Sequence, residues 1–491
     1  MSVLEEKPET PLKATDPFDG SIPPLATTPI SRATSTLRSH HLPHLPHLPP
    51  VPDGPACLAD EVPTLTTSTE KIGPPPDGGS TAWLCVLGAF FAVFCIFGFN
   101  TSTGQLQVYY LKNQLADYTP AEVGWVSSIA VFLVSAGSLF SGRYFDAHGT
   151  RLLTITGSVL SIVSLVGIAF SKKYWQFLLA HAATGIAGSL LYAPATAVGG
   201  HWFDKKRGTA VGIVVAGSGL GGVIYPIMIK RLVESLGFRN GMLVVAGMNA
   251  SLMAICCFTM KARLPPRRPP PWRSLLGPWS QPSYSCLVIG AALVMMNWVS
   301  PYINATVYAA SNDVSPRITG YAIAILQTGS FVGRIFAGIL GDRFGVWIVF
   351  TAMGGLAAIS LLGLWTPSNL PDAVVLIGLL GYGFGSGAWM TLVAASCASI
   401  SPIREYGMRI GMLFSLSGLP ALAGPVICGA LITVDDGKFG YAAIFAGMTI
   451  LMGVMIAISP IIMRYIADKV VKKQGVKELA DEAGRTMAVG A

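Results

Sequence analysis

Arg334 is the residue whose type and position raise the clearest chemical question in this sequence. It stands inside an apolar stretch, GSFVGRIFAGILGDRFG (329–345), eight residues before Asp342. In a helix that separation is about 12 Å. An arginine this deep in a membrane costs at least about 2.5–3.5 kcal/mol unless it meets water or a partner. Its planar fork of donors matches a carboxylate, so we predict that Arg334 anchors an anion in a cavity.

The alternative role of Arg334 is to extend towards the helix end and support Asp342. Such snorkelling spans about 6 Å, only half of the separation, so the cavity interpretation is favoured. Further polar and aromatic side chains inside apolar stretches are candidate substrate contacts: Asn100, Gln105, His181, Tyr192, Asn297, Gln327 and Trp389. The polar ones have the alternative role of hydrogen bonds between packed helices. His181, placed mid-span, is the candidate carrier if a proton is coupled, because imidazole titrates near neutral pH.

The composition is that of a polytopic membrane protein. Hydrophobic residues make up 52% of the 491 and charged residues 12%, whereas soluble domains are about one-quarter charged. The net charge of +8 is spread over many short loops, which excludes a nucleic-acid surface. The cysteines lack metal-ligand spacing, and the spans hold no clustered catalytic residues or phosphate-binding loop for ATP. We therefore expect no metal, no cofactor and no enzymatic activity.

Twelve apolar segments of about 20 residues follow Ala82, each long enough to cross a bilayer. They centre on 82–104, 123–141, 152–170, 175–199, 208–229, 241–260, 283–303, 319–340, 346–365, 373–396, 409–433 and 441–463. An even number places both termini on one side. The loops on that side hold thirteen Lys and Arg against eight opposite, which predicts cytosolic termini. The fold class is thus all-α integral membrane, with twelve transmembrane helices.

The spans divide into an N-terminal half, 76–260, and a C-terminal half, 283–465. Between them lies a basic linker, 261–282, with five Lys or Arg and no acid, which we expect in the cytosol. Residues 1–75 are rich in Pro, Ser, Thr and charge, so a disordered cytosolic tail is predicted. A cytosolic C-terminal tail is expected over 466–491.

One motif occurs at the same place in each half. GRYFDAHG (142–149) follows span two and GILGDRFG (338–345) follows span eight; both fit G-x-x-x-D-x-x-G. The repeat indicates two pseudo-symmetric six-helix halves. Each Asp can accept bonds from backbone N–H groups or from Arg, forming a latch that breaks when the halves rock. The predicted latch residues are Gly142, Arg143, Asp146, Gly149, Arg207, Gly338, Asp342, Arg343 and Gly345.

This pattern resembles the major facilitator superfamily (MFS fold). DGGSTAW (77–83) and HWFDKKRGTAVGIVVAGSGLGG (201–222) are similar to signatures of its monocarboxylate-porter branch, and the long leader and YAPA (192–195) resemble its fungal members. The resemblance implies transport of organic anions or metabolites, with Arg334 at the place of an arginine taken to bind the substrate anion. Proton-coupled members carry an acid four positions earlier, where this chain has Ser330. These members also carry a lysine in span one, which this chain lacks near Thr103–Gln105. The resemblance therefore does not imply proton coupling through that acid and lysine.

We accordingly expect a secondary transporter that moves a small organic anion or a secondary metabolite, importing or exporting it by alternating access. The alternative is a non-transporting membrane sensor that kept the fold. The expected partners are the bilayer, a small anionic substrate and a coupled proton if His181 carries one. The plasma membrane is the expected location, with the vacuolar membrane as alternative, and Asn304 in a glycosylation sequon makes the chain a candidate glycoprotein.

Overall fold

The computed structural model describes residues 75–265, 271–435 and 438–489; the predicted tail over 1–75 lies almost entirely outside them. The described residues form helices joined by short connections. The α-helices are α1 (Ser80–Lys112), α2 (Pro120–His148), α3 (Arg151–Phe170), α4 (Tyr174–Trp202), α5 (Arg207–Thr259), α6 (Pro282–Trp298), α7 (Ser300–Ala310), α8 (Pro316–Phe344), α9 (Val346–Ser360), α10 (Asp372–Ser399), α11 (Tyr406–Val434) and α12 (Gly440–Val489). A 3₁₀ helix covers Trp272–Ser280, and a π-helical turn, Leu361–Trp365, continues α9.

Among the described residues, twelve membrane-crossing segments are confirmed once the long helix α5 is divided in two. By length and hydropathy, eleven helices of the described residues can cross a membrane. One of them, α5, is two helices that meet at Gly237, whose φ of 77° and ψ of 165° are not helical. Span seven is the reverse case, since α6 and α7 together make one crossing, Pro282–Ala310, with a break near Val299.

Two stretches outside the predicted spans are helical in the structure. The loop expected over 230–240 is helical on both sides of Gly237, because a single glycine with positive φ is enough to redirect the chain. The segment 466–489, expected as a tail, continues α12 as a helix. Helices α2 and α8 end as the motif requires, at Gly149 and Gly345, with φ of 80° and 95°.

Small residues bring the helices of each half close together. In the N-terminal half, α1 to α5, a Cβ placed on Gly221 would lie 2.9 Å from the Cα of Gly98. In the C-terminal half, α6 to α12, a Cβ on Gly329 would lie 2.6 Å from the carbonyl oxygen of Leu380. Such close approach is the usual basis of helix association in lipid. The hydrophobic effect does not drive helices together there, because lipid tails are as apolar as the side chains.

The two halves meet along two helix pairs, α2 with α11 and α5 with α8. Gly212 of α5 lies against the backbone of α8, where an added Cβ would be 2.8 Å from the carbonyl oxygen of Arg334. The symmetric pairing brings Ser138 of α2 against Gly411 of α11. These two pairs position both the motif aspartates and Arg334.

Candidate functional site

Asp342 fastens the two halves at one end of the α5–α8 pair. That end carries the 261–281 connection and is called the linker face below. The Asp342 carboxylate accepts the backbone N–H groups of Gly208 and Thr209, both at 2.7 Å, and the Thr209 hydroxyl at 2.6 Å. Because α5 begins at Arg207, the carboxylate lies on a helix N-terminus of the opposite half, where unpaired N–H groups and the helix dipole favour an anion.

Asp146 makes the equivalent contact in the α2–α11 pair. Its two carboxylate oxygens accept the backbone N–H groups of Gly407, at 2.9 Å, and Met408, at 2.6 Å, in the first turn of α11. Both motif aspartates therefore cap a helix of the other half. We call these contacts the Asp342 latch and the Asp146 latch.

Glycine is required where the latch helices touch. A Cβ on Gly338 would lie 2.8 Å from the carbonyl carbon of Gly208, and one on Gly142 would lie 2.8 Å from that of Gly407. Both contacts join backbone to backbone, so no side chain can move aside to admit a methyl group. The first glycine of each motif copy thus allows the aspartate one turn later to reach its helix N-terminus.

The three predicted latch arginines have different contacts, and those of Arg207 cross between the halves. Its Nη1 donates to the carbonyl of Ala398 in the last turn of α10, at 3.2 Å. Arg143 packs its guanidinium over the Trp272 ring at 3.9 Å from the centroid. Arg343 is exposed and lies over the ring of its neighbour Phe344, at 5.5 Å. A latch role for Arg143 and Arg343 stays a prediction.

Asp77, in the stretch before α1, holds the α4–α5 connection. One of its carboxylate oxygens accepts the backbone N–H groups of Asp204, at 2.6 Å, and Lys205, at 2.8 Å. Burial raises the pKa of Asp77, but these backbone donors outweigh it, so the pKa lies below its usual value and the carboxylate stays charged at neutral pH. The DGG stretch thus ties the start of α1 to the entry of α5.

Arg334 lies where α8 faces α5, at the junction of the halves. Its side chain is 2% exposed, and Nε and Nη1 have no hydrogen-bond partner. The ion pairs found among the described residues do not include it. The phenols of Tyr192 and Tyr302 are within electrostatic range of the guanidinium. Instead of the open cavity that we expected, the structure places a desolvated cation with unused donors between the halves.

One helical turn before Arg334, Ser330 belongs to a hydroxyl cluster that joins α7, α8 and α10. The other members are Tyr302 and Ser386. The Tyr302 hydroxyl lies 2.9 Å from Oγ of Ser330 and 3.0 Å from Oγ of Ser386. Ser330, one turn before Arg334, therefore takes part in a neutral hydrogen-bonded group. The Trp298 ring lies against the Tyr302 ring, with centroids 5.2 Å apart. The Tyr382 hydroxyl donates to the backbone carbonyl of Trp298 at 2.8 Å.

Tyr192, which is within electrostatic range of Arg334, belongs to a row of aromatic rings that connects the two halves. The Tyr192 ring of α4 lies 4.9 Å from Phe97 of α1 and 4.9 Å from Phe414 of α11, between centroids. Aromatic walls of this kind, beside a few polar groups and one charge, are typical of sites for small organic molecules. Periodicity alone did not reveal Tyr302, Ser386, Phe97 or Phe414.

The structure brings some of the predicted substrate contacts together at this junction. Tyr192 is at Arg334, and Gln327 lies two turns along α8, with Oε1 buried and without a partner. A Cβ on Gly222 would lie 2.6 Å from Nε2 of Gln327, which places this amide against α5. In α1, the Oδ1 atom of Asn100 is also buried without a partner, whereas Gln105 is exposed.

The remaining predicted contacts lie within one half. His181 shares a hydrogen bond of 3.2 Å with the Tyr110 hydroxyl, between α1 and α4. Asn297 is fully buried and donates to Thr449 Oγ1 at 2.8 Å, which is a bond between packed helices. Trp389 packs on Phe350 of α9, with ring centroids 5.6 Å apart.

Asn304, the asparagine of the predicted sequon, is half-buried inside α7. Its amide donates to the carbonyl of Ser300 at 2.9 Å. A groove of about 440 Å³ lies on apolar residues of α3 and α4 such as Val159 and Leu190, and Arg334 does not line it. Glycosylation stays a prediction, and this groove has no part in the site.

Twelve apolar crossings in two halves, fastened by two like-built latches around a buried cation, define a polytopic membrane transporter. The sequence matches the Major Facilitator Superfamily over residues 83–286 and 286–486, and the chain belongs to this family.

Two fungal relatives and one solved structure extend this comparison. The chain is 34% identical to MFS-type transporter 1 of Ophiocordyceps sp., over 78% of this chain and 85% of that protein. It is also 34% identical to the Fujikurins efflux protein of Gibberella fujikuroi, over 77% of this chain and 82% of that one. Its fold is similar to the human organic anion transporter MFSD10, with a TM-score of 0.63 at 15% identity over 78% of this chain and all of the other.

Gly219 provides a test of the packing around Arg334. In Gly219→Ala, the new Cβ would lie 2.6 Å from Nη1 of Arg334 and 2.8 Å from the Cα of Phe331. Overpacking of this kind costs about 1–3 kcal/mol, so we expect transport to fall roughly 5- to 150-fold. The matched control is Gly247→Ala in the second segment of α5, after Gly237, where no atom other than those of its chain neighbours and the local helix backbone lies within 4 Å of the new Cβ. It should leave transport unchanged; equal losses in both variants would show that Gly219 has no special relation to Arg334.

Proposed function

We propose that this chain is a secondary transporter that exports a small organic anion, a carboxylate-bearing secondary metabolite, by alternating access of a site at Arg334. One observation carries the proposal: Arg334 is buried at the junction of the halves and keeps two donor atoms without partners. A buried cation without a counterion is costly, and an arriving carboxylate would satisfy its charge and both donors together.

The surroundings of Arg334 favour an organic anion over an inorganic one. Tyr192, Phe97 and Phe414 supply apolar and aromatic surface on one side, and Tyr302 supplies a hydroxyl on the other. We expect a carboxylate at Arg334 with an aromatic or aliphatic body against these rings. The name of the Fujikurins efflux protein, one of the relatives, supports export of a metabolite as the direction.

The orientation in the proposal places the linker face in the cytosol. The excess of Lys and Arg in the loops on this side supports it, because cytosolic loops of membrane proteins carry such an excess. In this proposal the two latches, both formed in the structure, close the cytosolic side. The substrate would reach Arg334 from the cytosol only after both latches release, and we place the protein in the plasma membrane.

Proton coupling through an acid beside Arg334 has no support in the site, because the group one turn away is Ser330, bonded to Tyr302. His181 is the remaining candidate carrier. Its hydrogen bond to Tyr110 lies inside the N-terminal half, so any coupling would have to pass through α4 to Tyr192. The monocarboxylate-porter branch also stays a prediction.

The test is a comparison of metabolites between the source organism and a strain that lacks this gene. We expect at least one organic acid to accumulate inside the deletion strain and to fall in its medium. Plasma-membrane vesicles containing the protein should then move that acid across the membrane. If purified protein binds the acid and moves none of it, the chain is a sensor that kept the fold. If no metabolite changes, export is wrong.

A further inference from the structure

Three large apolar side chains are exposed on the 3₁₀ helix Trp272–Ser280 of the linker. Trp272 is 52% and Leu276 is 73% exposed, and Trp279 is also exposed, whereas Leu275 packs against the core. Exposure of so much apolar surface on nine residues is unusual for a segment surrounded by water. The segment must therefore have a partner or lie in lipid.

The position of this helix points to lipid. The Trp272 ring lies 6.0 Å, between centroids, from the ring of Phe140, an exposed residue of the membrane-crossing helix α2. Phe140 is eight residues before the end of α2 at the linker face. The exposed surface of Trp272 is thus continuous with the exposed outer surface of a membrane-crossing helix.

The charge of the linker selects the kind of lipid. Residues 261–282 contain five Lys or Arg and no acid. Tryptophan and leucine next to such cations are typical of segments that lie in the interface of an anionic leaflet, where each cation near the surface adds to binding. A soluble protein partner would not need the continuity with Phe140.

We propose that the Trp272–Ser280 helix, together with the described linker cations Lys261 and Arg273, binds anionic phospholipid headgroups of the cytosolic leaflet. This inference rests on the proposed function for one point, that the linker face lies in the cytosol. It does not depend on which substrate is transported.

Bound lipid at this helix would act on one latch in particular. Trp272 is under the guanidinium of Arg143, three residues before Asp146. At the other end of the linker, Gln281 accepts Nη1 of Arg409 at 2.8 Å, next to the Met408 that Asp146 caps. The linker thus contacts both helices of the Asp146 latch, and holding it on the leaflet would restrain their separation.

Hydrogen exchange of the full-length protein in nanodiscs tests the proposal. The two compositions are phosphatidylcholine alone and phosphatidylcholine with about one-quarter phosphatidylserine. We expect the amides of 272–281 to exchange more slowly with phosphatidylserine, while the α4–α5 connection, 203–206, on the same face shows no difference. Equal exchange of 272–281 in both compositions would overturn the proposal, whether the segment is protected by apolar contact in both or open in both.

A pair of variants separates lipid recognition from a general effect of charge. In Lys261→Gln/Arg273→Gln, each lost cation should weaken lipid binding about fivefold, so the slowing by phosphatidylserine should be strongly reduced. The matched control is Lys112→Gln/Lys172→Gln, two cations on the opposite face. Loss of the slowing in the control would also contradict the proposal. Neither measurement depends on transport, so a failed substrate assignment would leave the result readable.

Discussion

Arg334→Met is expected to abolish export while making the protein more stable. The variant keeps a side chain of similar length and removes a buried cation that has no counterion in the structure. Truncating one partner of a buried, hydrogen-bonded charge pair costs about 2–5 kcal/mol, so affinity for the anion should fall roughly 30-fold to several thousand-fold. Replacing buried charge by well-packed apolar atoms often gains about 1–4 kcal/mol of stability.

The measurement combines export of the accumulated acid with thermal unfolding of the purified protein. Arg334→Lys should be intermediate in export, because it keeps the charge and loses the two-donor fork. The control is Arg409→Met, since Arg409 is equally buried but pairs with Glu405 at 3.0 Å. It should lower the unfolding temperature. Full export by Arg334→Met, or a lower unfolding temperature, would contradict an anion site at Arg334.

Much of the fold could be predicted from composition and spacing, because a bilayer requires about 20 apolar residues per crossing. The repeated motif, with Asp146 and Asp342 at equivalent helix ends, indicated the two halves. The irregular points could not be predicted. The break near Val299 and the turn at Gly237 depend on which neighbours satisfy or redirect the backbone, and those neighbours are far away in sequence.

In the candidate site, too, the sequence predicted how far along a helix a residue lies but not which neighbour its side chain contacts. The spacing between Arg334 and Asp342 predicted that Arg334 lies well inside α8, away from the helix end, and the structure buries its side chain. Spacing also put Trp389 at a suitable depth, yet its ring packs on α9, because depth along a helix says little about which neighbour a side chain meets. The motif identified Asp146 as an acceptor, but its donor, Gly407, lies 261 residues later. No local pattern links two such positions.

The second large effect is expected from the latches. In Asp146→Asn or Asp342→Asn the new amide keeps the size of the carboxylate but loses its charge and one acceptor oxygen. Loss of such a cap costs about 0.5–2 kcal/mol, so each variant should shift the halves towards opening at the linker face roughly 2- to 30-fold. The two latches lie on separate helix pairs and share no partner, so their effects should multiply in the double variant.

Spin labels at positions 205 and 404, one in each half on the linker face, would report the opening as a longer distance. The accessible native cysteines would be replaced by serine for this measurement. The matched control is Glu122→Gln, because Glu122 caps α2 through the N–H and hydroxyl of Thr119, at 2.8 and 2.9 Å, inside one half. It should lower stability slightly and leave the distance unchanged. An unchanged distance in the double aspartate variant would mean that the latches do not hold the linker face closed, and that the release of both carboxylates is not the step that admits substrate to Arg334.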